Sequence, residues 1–197
     1  FAVFQLQVLI YNIIVRLYTV SIHVAALFNS KAKHWTSGRR NWKQNLSEKL
    51  AGGGEWIWVH CASLGEFEQG RPVIEELKNA YPAYRILLSF FSPSGYNVRK
   101  NYEKADAVVY LPFDSATNAD YFVNTVKPVL VIFIKYELWF HYLDVLNKRS
   151  VKTILVSGIF RPGHPVFKWY GGIYRRMLQY FDAIFLQDEN SKTLLSN

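Results

Sequence analysis

Apolar and polar residues alternate along the chain in a pattern that predicts strands separated by helices. Short runs rich in β-branched and aromatic residues are typical of buried strands, and they recur between polar segments with apolar residues at helical spacing. The predicted strands are 56–60, 85–91, 107–111, 129–134, 152–157 and 183–187. The predicted helices are 66–80, 96–103, 115–126, 138–148, 167–180 and 190–195. This alternation indicates βαβ units, and so an α/β fold with a parallel sheet and helices on both of its faces.

The first 28 residues are mostly apolar, yet polar residues recur among them. Wound as a helix at about 100° per residue, five of them fall on one narrow stripe. These are Gln5, Asn12, Arg16, Thr19 and His23. An arginine at the centre of a spanning helix costs a few kcal/mol, whereas a helix with a thin polar stripe can lie in the bilayer interface or press that stripe onto protein. The pattern favours a monotopic membrane anchor, with a spanning helix and a buried helix of the soluble fold as alternatives.

Charge separates this first region from the remainder of the chain. Half of the 197 residues are apolar, which excludes an intrinsically disordered chain. The net charge is +8. Residues 1–50 hold seven basic residues and one acidic residue, so most of the excess lies there. Within 31–43, basic residues alternate with Trp35 and Trp42, a composition that favours the headgroup level of an anionic leaflet on the cytoplasmic side. A solvated basic loop is the alternative. The charge therefore divides the chain into a membrane-associated helix with a basic-aromatic linker and a globular domain, 51–197.

Several other classes of function are disfavoured. The single cysteine, Cys61, excludes a disulfide framework, and the five histidines have no metal-ligand spacing. No G-x-G-x-x-G motif and no P-loop is present, which excludes a dinucleotide or kinase site in this region. Because no nucleic-acid-binding motif accompanies the basic segment, we expect no nucleic-acid partner. We also expect no metal and no cofactor.

Candidate chemistry lies in the loops that follow the predicted strands, since ligands of parallel sheets bind beyond the carboxyl ends of the strands. After the first strand, Ser63 and Glu66 have the spacing of a capping box, which by itself explains both residues. Alternatively, Glu66 stands at the ligand edge as a base. We expect the helix N-terminus to keep its carboxylate ionised and therefore weakly basic. Lys135 and Glu137 follow the fourth strand, where an exposed helix start is the alternative to a functional role.

A third loop follows the second predicted strand. Ser92, Ser94 and Gly95 belong to a turn that leads into a helix. The backbone N–H groups at such a helix start can hold a phosphate group. Most turns of this kind only cap the helix, so both interpretations stay open.

Three motifs together resemble one enzyme family. They are W-V-H-C-A-S-L-G-E-F (58–67), K-Y-E-L-W (135–139) and F-L-Q-D-E-N-S (185–191). In order and spacing they resemble the amino-terminal half of 3-deoxy-D-manno-octulosonic acid (Kdo) transferases, and the resemblance covers nearly the whole chain. The family commonly has E-T-E-L-W-P where this chain has Lys135, Tyr136 and Phe140. Many members of the family read N-A-R-L-S where this chain has S-G-I-F-R, which ends at Arg161. We therefore do not assign Arg161 the role of the arginine in the family's motif.

The resemblance implies a GT-B glycosyltransferase of two Rossmann-like domains. The amino-terminal domain, to which this chain corresponds, would bind a lipid A precursor, and an absent carboxyl-terminal domain would bind the donor, CMP-Kdo. Transfer would be inverting and independent of metal, with Glu66 as the general base and Glu137 as a second acid that positions groups. The expected acceptor-binding residues are Ser63, Gly65, Ser92, Ser94, Gly95 and Lys135. The expected location is the cytoplasmic face of the bacterial inner membrane, and the chain alone is expected to be inactive.

Two other functions remain open from the sequence. One is a related GT-B enzyme that acts on another lipid-linked sugar, such as the lipid A disaccharide synthase. The other is a membrane-anchored lipid-binding module without catalysis.

Overall fold

A computed structural model describes residues 2–135 and 137–196, so Tyr136 of the K-Y-E-L-W motif lies outside the described residues. Six strands form one sheet in the order β3-β2-β1-β4-β5-β6, and every neighbouring pair is parallel. The strands are β1 (Trp56–Cys61), β2 (Arg85–Phe90), β3 (Ala107–Tyr110), β4 (Pro128–Ile134), β5 (Lys152–Gly158) and β6 (Ala183–Leu186). The predicted parallel α/β fold is confirmed, and all six predicted strands are present.

Alternate residues of the central strands are buried on opposite faces of the sheet. In β1, Trp58 belongs to one apolar core and Val59 to the other, as expected for strands covered by helices on both sides. The helices are α1 (Ala2–Ala25), α2 (Ser30–Ser37), α3 (Trp42–Leu50), α4 (Leu64–Ala80), α5 (Pro93–Arg99), α6 (Ala116–Val126), α7 (Phe140–Lys148), α8 (Gly172–Leu178) and α9 (Glu189–Ser196).

The strand order places a switch point between β1 and β4. From β1 the chain proceeds to β2 and β3 on one side, and then returns to add β4 on the other side of β1. At such a point the loops beyond two adjacent strands diverge and leave a crevice, which is where ligands of open α/β sheets bind. The loops after β1 and β4, with their predicted acids, border this crevice.

The predicted long helix over 167–180 is wrong. The structure has a short 3-10 turn at Pro165–Phe167 and then α8, which begins only at Gly172. A Cβ at Gly171 would lie 2.0 Å from the carbonyl oxygen of Pro165, so the chain folds back on itself at this position. Arg175 holds the turn by donating to the carbonyl oxygen of Val166 (2.8 Å). The aromatic composition of the segment therefore reflects a packed turn and not a continuous helix.

The basic-aromatic segment contains two helices that the sequence analysis did not predict, α2 and α3. Trp35 and Arg39 are both buried, with 7% of each residue exposed. The Arg39 guanidinium lies 3.5 Å from the Trp35 ring centroid and donates to the carbonyl oxygen of Leu111 (3.0 Å). Burial lowers the pKa of Arg39 to about 9. The assignment of the segment 31–43 to the lipid headgroup level is therefore wrong for Trp35 and Arg39, because both pack inside the domain.

Helix α1 lies lengthwise along the domain. Tyr11 donates to Asp114 (2.5 Å between Oη and Oδ2), and Asn12 Oδ1 lies 2.6 Å from His141 Nε2. Of the predicted polar stripe, Asn12 and Thr19 are half-buried against the domain, while the other three residues are exposed. The outward side is apolar along its length and exposes Leu6, Leu9, Ile10, Ile13, Ile14, Leu17, Val20 and Val24. Within the described residues, α1 is the one helix long and apolar enough to cross a membrane.

Candidate functional site

The loop after β1 fixes the first predicted acid, Glu66, at the crevice. Ser63 is the N-cap of α4, and with Glu66 it forms the predicted capping box. Glu66 Oε2 accepts hydrogen bonds from the backbone N–H groups of Ala62 (2.5 Å) and Ser63 (3.2 Å). The carboxylate is half-buried, and its position is set by local backbone geometry.

The chain after β4 brings the second acid, Glu137, to the same place. Lys135, the first residue after the strand, has φ of 74°, a left-handed conformation in which the strand ends sharply. Glu137 then lies over the end of β1, where its Oε2 is 3.1 Å from Nε2 of His60. The indole N–H of Trp139 donates to the same oxygen. Glu137 is only 7% exposed, so this carboxylate is part of the wall of the crevice.

The two acids act on each other electrostatically. The pKa of Glu66 is raised from 4.5 to about 7, first because burial disfavours its charged form and second because Glu137 carries a like charge nearby. The backbone N–H groups of Ala62 and Ser63 oppose this shift, as does the positive charge of Lys135. The buried Cys61 thiol has its pKa raised by burial and then by the same two acids.

The expectation that the helix N-terminus makes Glu66 a weak base is wrong. The N–H groups do favour the carboxylate, but desolvation and the like charge of Glu137 outweigh them. A carboxylate with a pKa near 7 is a far better proton acceptor at neutral pH than an ordinary glutamate, because its conjugate acid is weaker. The capping box and the basic carboxylate therefore coexist in one residue.

The third predicted loop lies beside the first, but its residues have structural partners. The backbone N–H of Ser92 donates to the carbonyl oxygen of Ala62 (2.7 Å), which links the two loops. Ser92 Oγ caps α5 by accepting from the N–H of Ser94 (3.3 Å). Gly95 is needed for packing, because a Cβ there would lie 2.2 Å from the ring of Phe90. These contacts explain all three residues by the folding of α5, and their acceptor-binding role stays a prediction.

The other predicted acceptor-binding residues differ in how open they are. A Cβ added at Gly65 would meet nothing within 4 Å, so the backbone next to Glu66 is open to an incoming group. Ser63 is half-buried in its capping position. Lys135 is close enough to Glu66 for its charge to lower that residue's pKa. Ser63, Gly65 and Lys135 thus surround Glu66, and their contact with an acceptor stays a prediction.

The S-G-I-F-R segment, which departs from the family, and the F-L-Q-D-E-N-S motif, which resembles it, meet elsewhere on the same edge of the sheet. Arg161 Nη1 lies 2.7 Å from Asp188 Oδ2. Hydrogen bonds from Ser191 and the ion pair with Arg161 lower the pKa of Asp188 to about 2. Ser191, buried, also accepts at Oγ from the backbone N–H of Phe160 (2.8 Å). The F-L-Q-D-E-N-S motif therefore ties the loop after β5 to the start of α9.

Sequence reasoning missed His60 and Trp139, the two side chains that bind Glu137. His60 is fully buried near the carboxyl end of β1, and only its position among apolar residues distinguished it. An ionisable residue one position before the end of an otherwise apolar central strand is the signal that could have found it. Trp139 belongs to the K-Y-E-L-W motif but was not given a role.

The arrangement supports proton transfer between protein and a bound hydroxyl group. One acid, Glu66, is basic and lies beside an open backbone position, and the other, Glu137, is held in place by the imidazole of His60 and the indole N–H of Trp139. No cluster of three or more histidine, cysteine or acidic residues suited to a metal ion occurs in 2–135 or 137–196.

Comparisons with known proteins identify the family. The family described as 3-deoxy-D-manno-octulosonic-acid transferase (kdotransferase) matches residues 34–197. A 3-deoxy-D-manno-octulosonic acid transferase of Chlamydia trachomatis is 28% identical over 143 residues, which cover 71% of this chain and 33% of that enzyme. The enzyme of the same name from Aquifex aeolicus is 36% identical over 88 residues, 42% of this chain and 23% of that enzyme. A bifunctional glycosyltransferase/methyltransferase of Fusobacterium nucleatum is 31% identical over 144 residues, 70% of this chain and 22% of that protein.

A solved structure supports the fold independently. A protein of Listeria monocytogenes described as a UDP-N-acetylglucosamine 2-epimerase superposes with a TM-score of 0.53 at 10% identity, over 73% of this chain and 42% of that one. At this identity the likeness concerns the fold alone. The chain spans about a third or less of the length of the curated relatives named above. With its Rossmann-like sheet and a family match over most of its length, the chain belongs to the 3-deoxy-D-manno-octulosonic acid transferase family.

Proposed function

We propose that this chain is the acceptor-binding half of a GT-B enzyme that transfers Kdo from CMP-Kdo to a lipid A precursor. The observation that carries the proposal is the basic carboxylate of Glu66 at the crevice between β1 and β4. Glu66 takes the proton of an acceptor sugar hydroxyl as that oxygen attacks the anomeric carbon of Kdo. The new C–O bond forms while the bond from that carbon to the CMP phosphate breaks, so CMP leaves and the configuration inverts. The step as proposed uses no metal and no cofactor.

The hydrogen bonds of Glu66 assign a role to each of its carboxylate oxygens. Both backbone N–H donors bind Oε2, so this oxygen orients the group. Oε1 is then the oxygen that receives the proton. The other acid, Glu137, stays in place and contributes its charge, which keeps Glu66 basic.

The matched pair E66Q and E68Q tests this function in the full-length enzyme. Glu68 lies on the same helix two residues further on, with 40% of its side chain exposed, and pairs with Arg99. Kdo transfer from CMP-Kdo to a lipid A precursor should fall roughly 100-fold or more in E66Q and stay unchanged in E68Q. Full activity of E66Q would contradict the role of Glu66 as the base, whereas no transfer by the unchanged full-length protein would favour the non-catalytic lipid-binding module. A product with retained anomeric configuration would contradict inversion.

We propose further that the 197-residue chain alone does not catalyse transfer. The matched segments cover only 22% and 33% of two of the curated relatives, and in a GT-B enzyme the donor site belongs to the other domain. The isolated chain should therefore give no turnover with CMP-Kdo and a lipid A precursor, and measurable turnover would contradict this proposal.

We also propose that α1 holds the protein on the cytoplasmic face of the bacterial inner membrane as a monotopic anchor. Its outward side is apolar, while Gln5, Arg16 and His23 are exposed beside that side, where headgroups and water would meet them. A helix with this distribution lies in the interface plane. Its lengthwise contacts with the domain, through Tyr11 and Asn12, favour this orientation over a spanning one. The anionic leaflet would then attract the basic amino-terminal region.

A further inference from the structure

A buried chain of hydrogen bonds extends from Glu137 into the core of the sheet. His60 is fully buried. Its Nε2 lies 3.1 Å from Glu137 Oε2, and its Nδ1 lies 2.8 Å from Ser89 Oγ in the neighbouring strand β2. The same Ser89 hydroxyl accepts from the indole N–H of Trp58 (2.7 Å). Four side chains from three segments are thus joined through one imidazole ring.

The donors and acceptors of these four hydrogen-bonded side chains determine the tautomer of His60. The Trp58 indole can only donate, so Ser89 Oγ accepts from it and keeps one hydrogen to give. Among residues 2–135 and 137–196, the remaining partner of that hydroxyl is His60 Nδ1. Nδ1 therefore accepts, and the imidazole is neutral with its hydrogen on Nε2. That hydrogen points to Glu137.

We infer that His60 is a positioning residue, whose neutral imidazole is oriented by Ser89 and donates from Nε2 to hold the Glu137 carboxylate, with its negative charge intact, toward Glu66. This inference rests on the proposed function. A protonated imidazole would cancel the charge of Glu137, whereas a neutral N–H donor fixes its position and leaves its charge. Trp139, the other donor to Glu137 Oε2, is also neutral. The like charge that Glu66 experiences therefore depends on His60 being in this tautomer.

The charged and titratable groups around the pair are few in the described part of the chain. Glu66 faces Glu137 from α4, and Lys135 approaches from the end of β4. The Cys61 thiol is buried in β1, and burial raises its pKa, so it stays neutral. The effect of His60 on the pH dependence of transfer is thus exerted through the Glu66–Glu137 pair.

Two substitutions of His60 separate positioning from mere packing. The side-chain amide of H60Q can reach the position of Nε2 and donate to Glu137, whereas the amide of H60N reaches only the position of Nδ1. In the full-length enzyme, H60N should lower kcat/KM for transfer roughly tenfold or more and move the acid limb of its pH profile to lower pH. H60Q should keep most of the kcat/KM, and its acid limb should stay close to that of the unchanged enzyme. A packing role alone would reduce thermal stability in both variants and leave the acid limb in place. That outcome would overturn the inference.

The tautomer itself is tested without any assay of activity. The ¹⁵N resonances of the His60 side chain at neutral pH should identify Nδ1 as unprotonated and Nε2 as protonated. In S89A, which removes one hydroxyl, this preference should be lost and the acid limb should shift as in H60N. A hydrogen on Nδ1 in the unchanged protein would overturn the inference. Full activity of E66Q would instead overturn the proposed function, and the ¹⁵N result would still decide the tautomer.

Discussion

Two acidic sites, buried Asp114 and half-buried Glu66, lie at the same edge of the sheet and differ in what faces the carboxylate. Asp114, beyond β3, is 1% exposed and is surrounded by donors. Its Oδ2 accepts from the Tyr11 hydroxyl and from the N–H of His141, and its Oδ1 accepts from the N–H of Tyr142. Glu66 accepts from two N–H groups, but the largest influence on its pKa after burial is another acid, Glu137.

The two carboxylates show how an acidic side chain can serve the structure at one place and, as we propose for Glu66, the chemistry at another. Burial raises the pKa of both Asp114 and Glu66. At Asp114 every influence other than burial lowers the pKa, because all of them come from hydrogen-bond donors or from the charge of His141. The Asp114 carboxylate is therefore a fixed acceptor that joins α1 and α7 to the sheet. At Glu66 the like charge of Glu137 adds to the effect of burial, which leaves a carboxylate that can take a proton near neutral pH.

The largest effect expected within this comparison is on stability, from D114N. The amide would present N–H groups where the carboxylate accepts, so buried donors would face donors. We expect the free energy of unfolding to fall by about 3 kcal/mol, measured by urea denaturation. The matched control D120N removes an exposed acid of α6 with 58% of its side chain accessible, and should change little. An equal loss in both variants would remove the distinction between the two sites.

Helix α1, which Asp114 holds against the domain and which we propose as a membrane anchor, gives the next largest effect. Ile13 and Leu17 lie on the outward side of α1 and are 47% and 64% exposed. The double variant I13K/L17K should bind vesicles of anionic phospholipid more weakly by about 2 kcal/mol or more, roughly 30-fold, as measured by flotation. V98K changes an equally exposed apolar residue on α5 and serves as control. Unchanged binding of I13K/L17K would exclude the monotopic orientation proposed for α1.

The electrostatic coupling of Glu66 and Glu137 should be measurable in the pH dependence of transfer. The proposed role of Glu66 as the base requires its ionised form, so kcat/KM in the full-length enzyme should fall as the pH drops below about 7. E137Q removes the like charge, and the acid limb should then move to lower pH by roughly one unit. D120N should leave the limb unchanged. An acid limb that ignores E137Q would mean that the two carboxylates are not coupled.

The smallest effect expected is a gain in the stability of E66Q. Because the pKa of Glu66 is higher in the folded protein than its ordinary 4.5, folding favours the protonated form. Its stabilising contribution is complete below pH 4.5 and is lost as the pH rises through about 7. E66Q keeps an acceptor for the capping box and carries no charge, so at pH 8 it should be more stable than the unchanged protein by about 1 kcal/mol. This is less than the full shift of the Glu66 pKa implies, because the side chain is partly exposed. The difference should vanish at pH 4.5, and a loss of stability at pH 8 would contradict the assignment.

The fold could be predicted from the sequence much better than the site. Apolar runs such as the one in β4 can form only buried strands at their length, and every predicted strand is present. The capping box of Glu66 was equally visible, because it depends on residues three apart. The basicity of Glu66 was not, because it depends on Glu137, which the strand order brings beside β1. His60 and Glu137, in contact, are 77 residues apart in the chain.

The errors in the first region have a different physical cause. Tryptophan next to arginine is typical both of a membrane interface and of a buried cation stacked on aromatic rings, and composition does not distinguish the two. In the folded protein Arg39 is stacked on Trp35 and lies 4.6 Å from the Tyr110 ring centroid, so the second arrangement applies. Tyr110 comes from β3, far along the chain. Only the tertiary fold decides between these alternatives.

The most direct test of the account is a titration of the Glu66 carboxyl group itself. The ¹³C resonance of its side-chain carboxyl, followed against pH in the unchanged protein and in E137Q, reports the proton affinity without any assay of transfer. We expect a midpoint near pH 7 that falls clearly when Glu137 is replaced. A midpoint in the ordinary range of glutamate, near 4.5, in both proteins would contradict the claim that the two acids are kept together to make Glu66 a base.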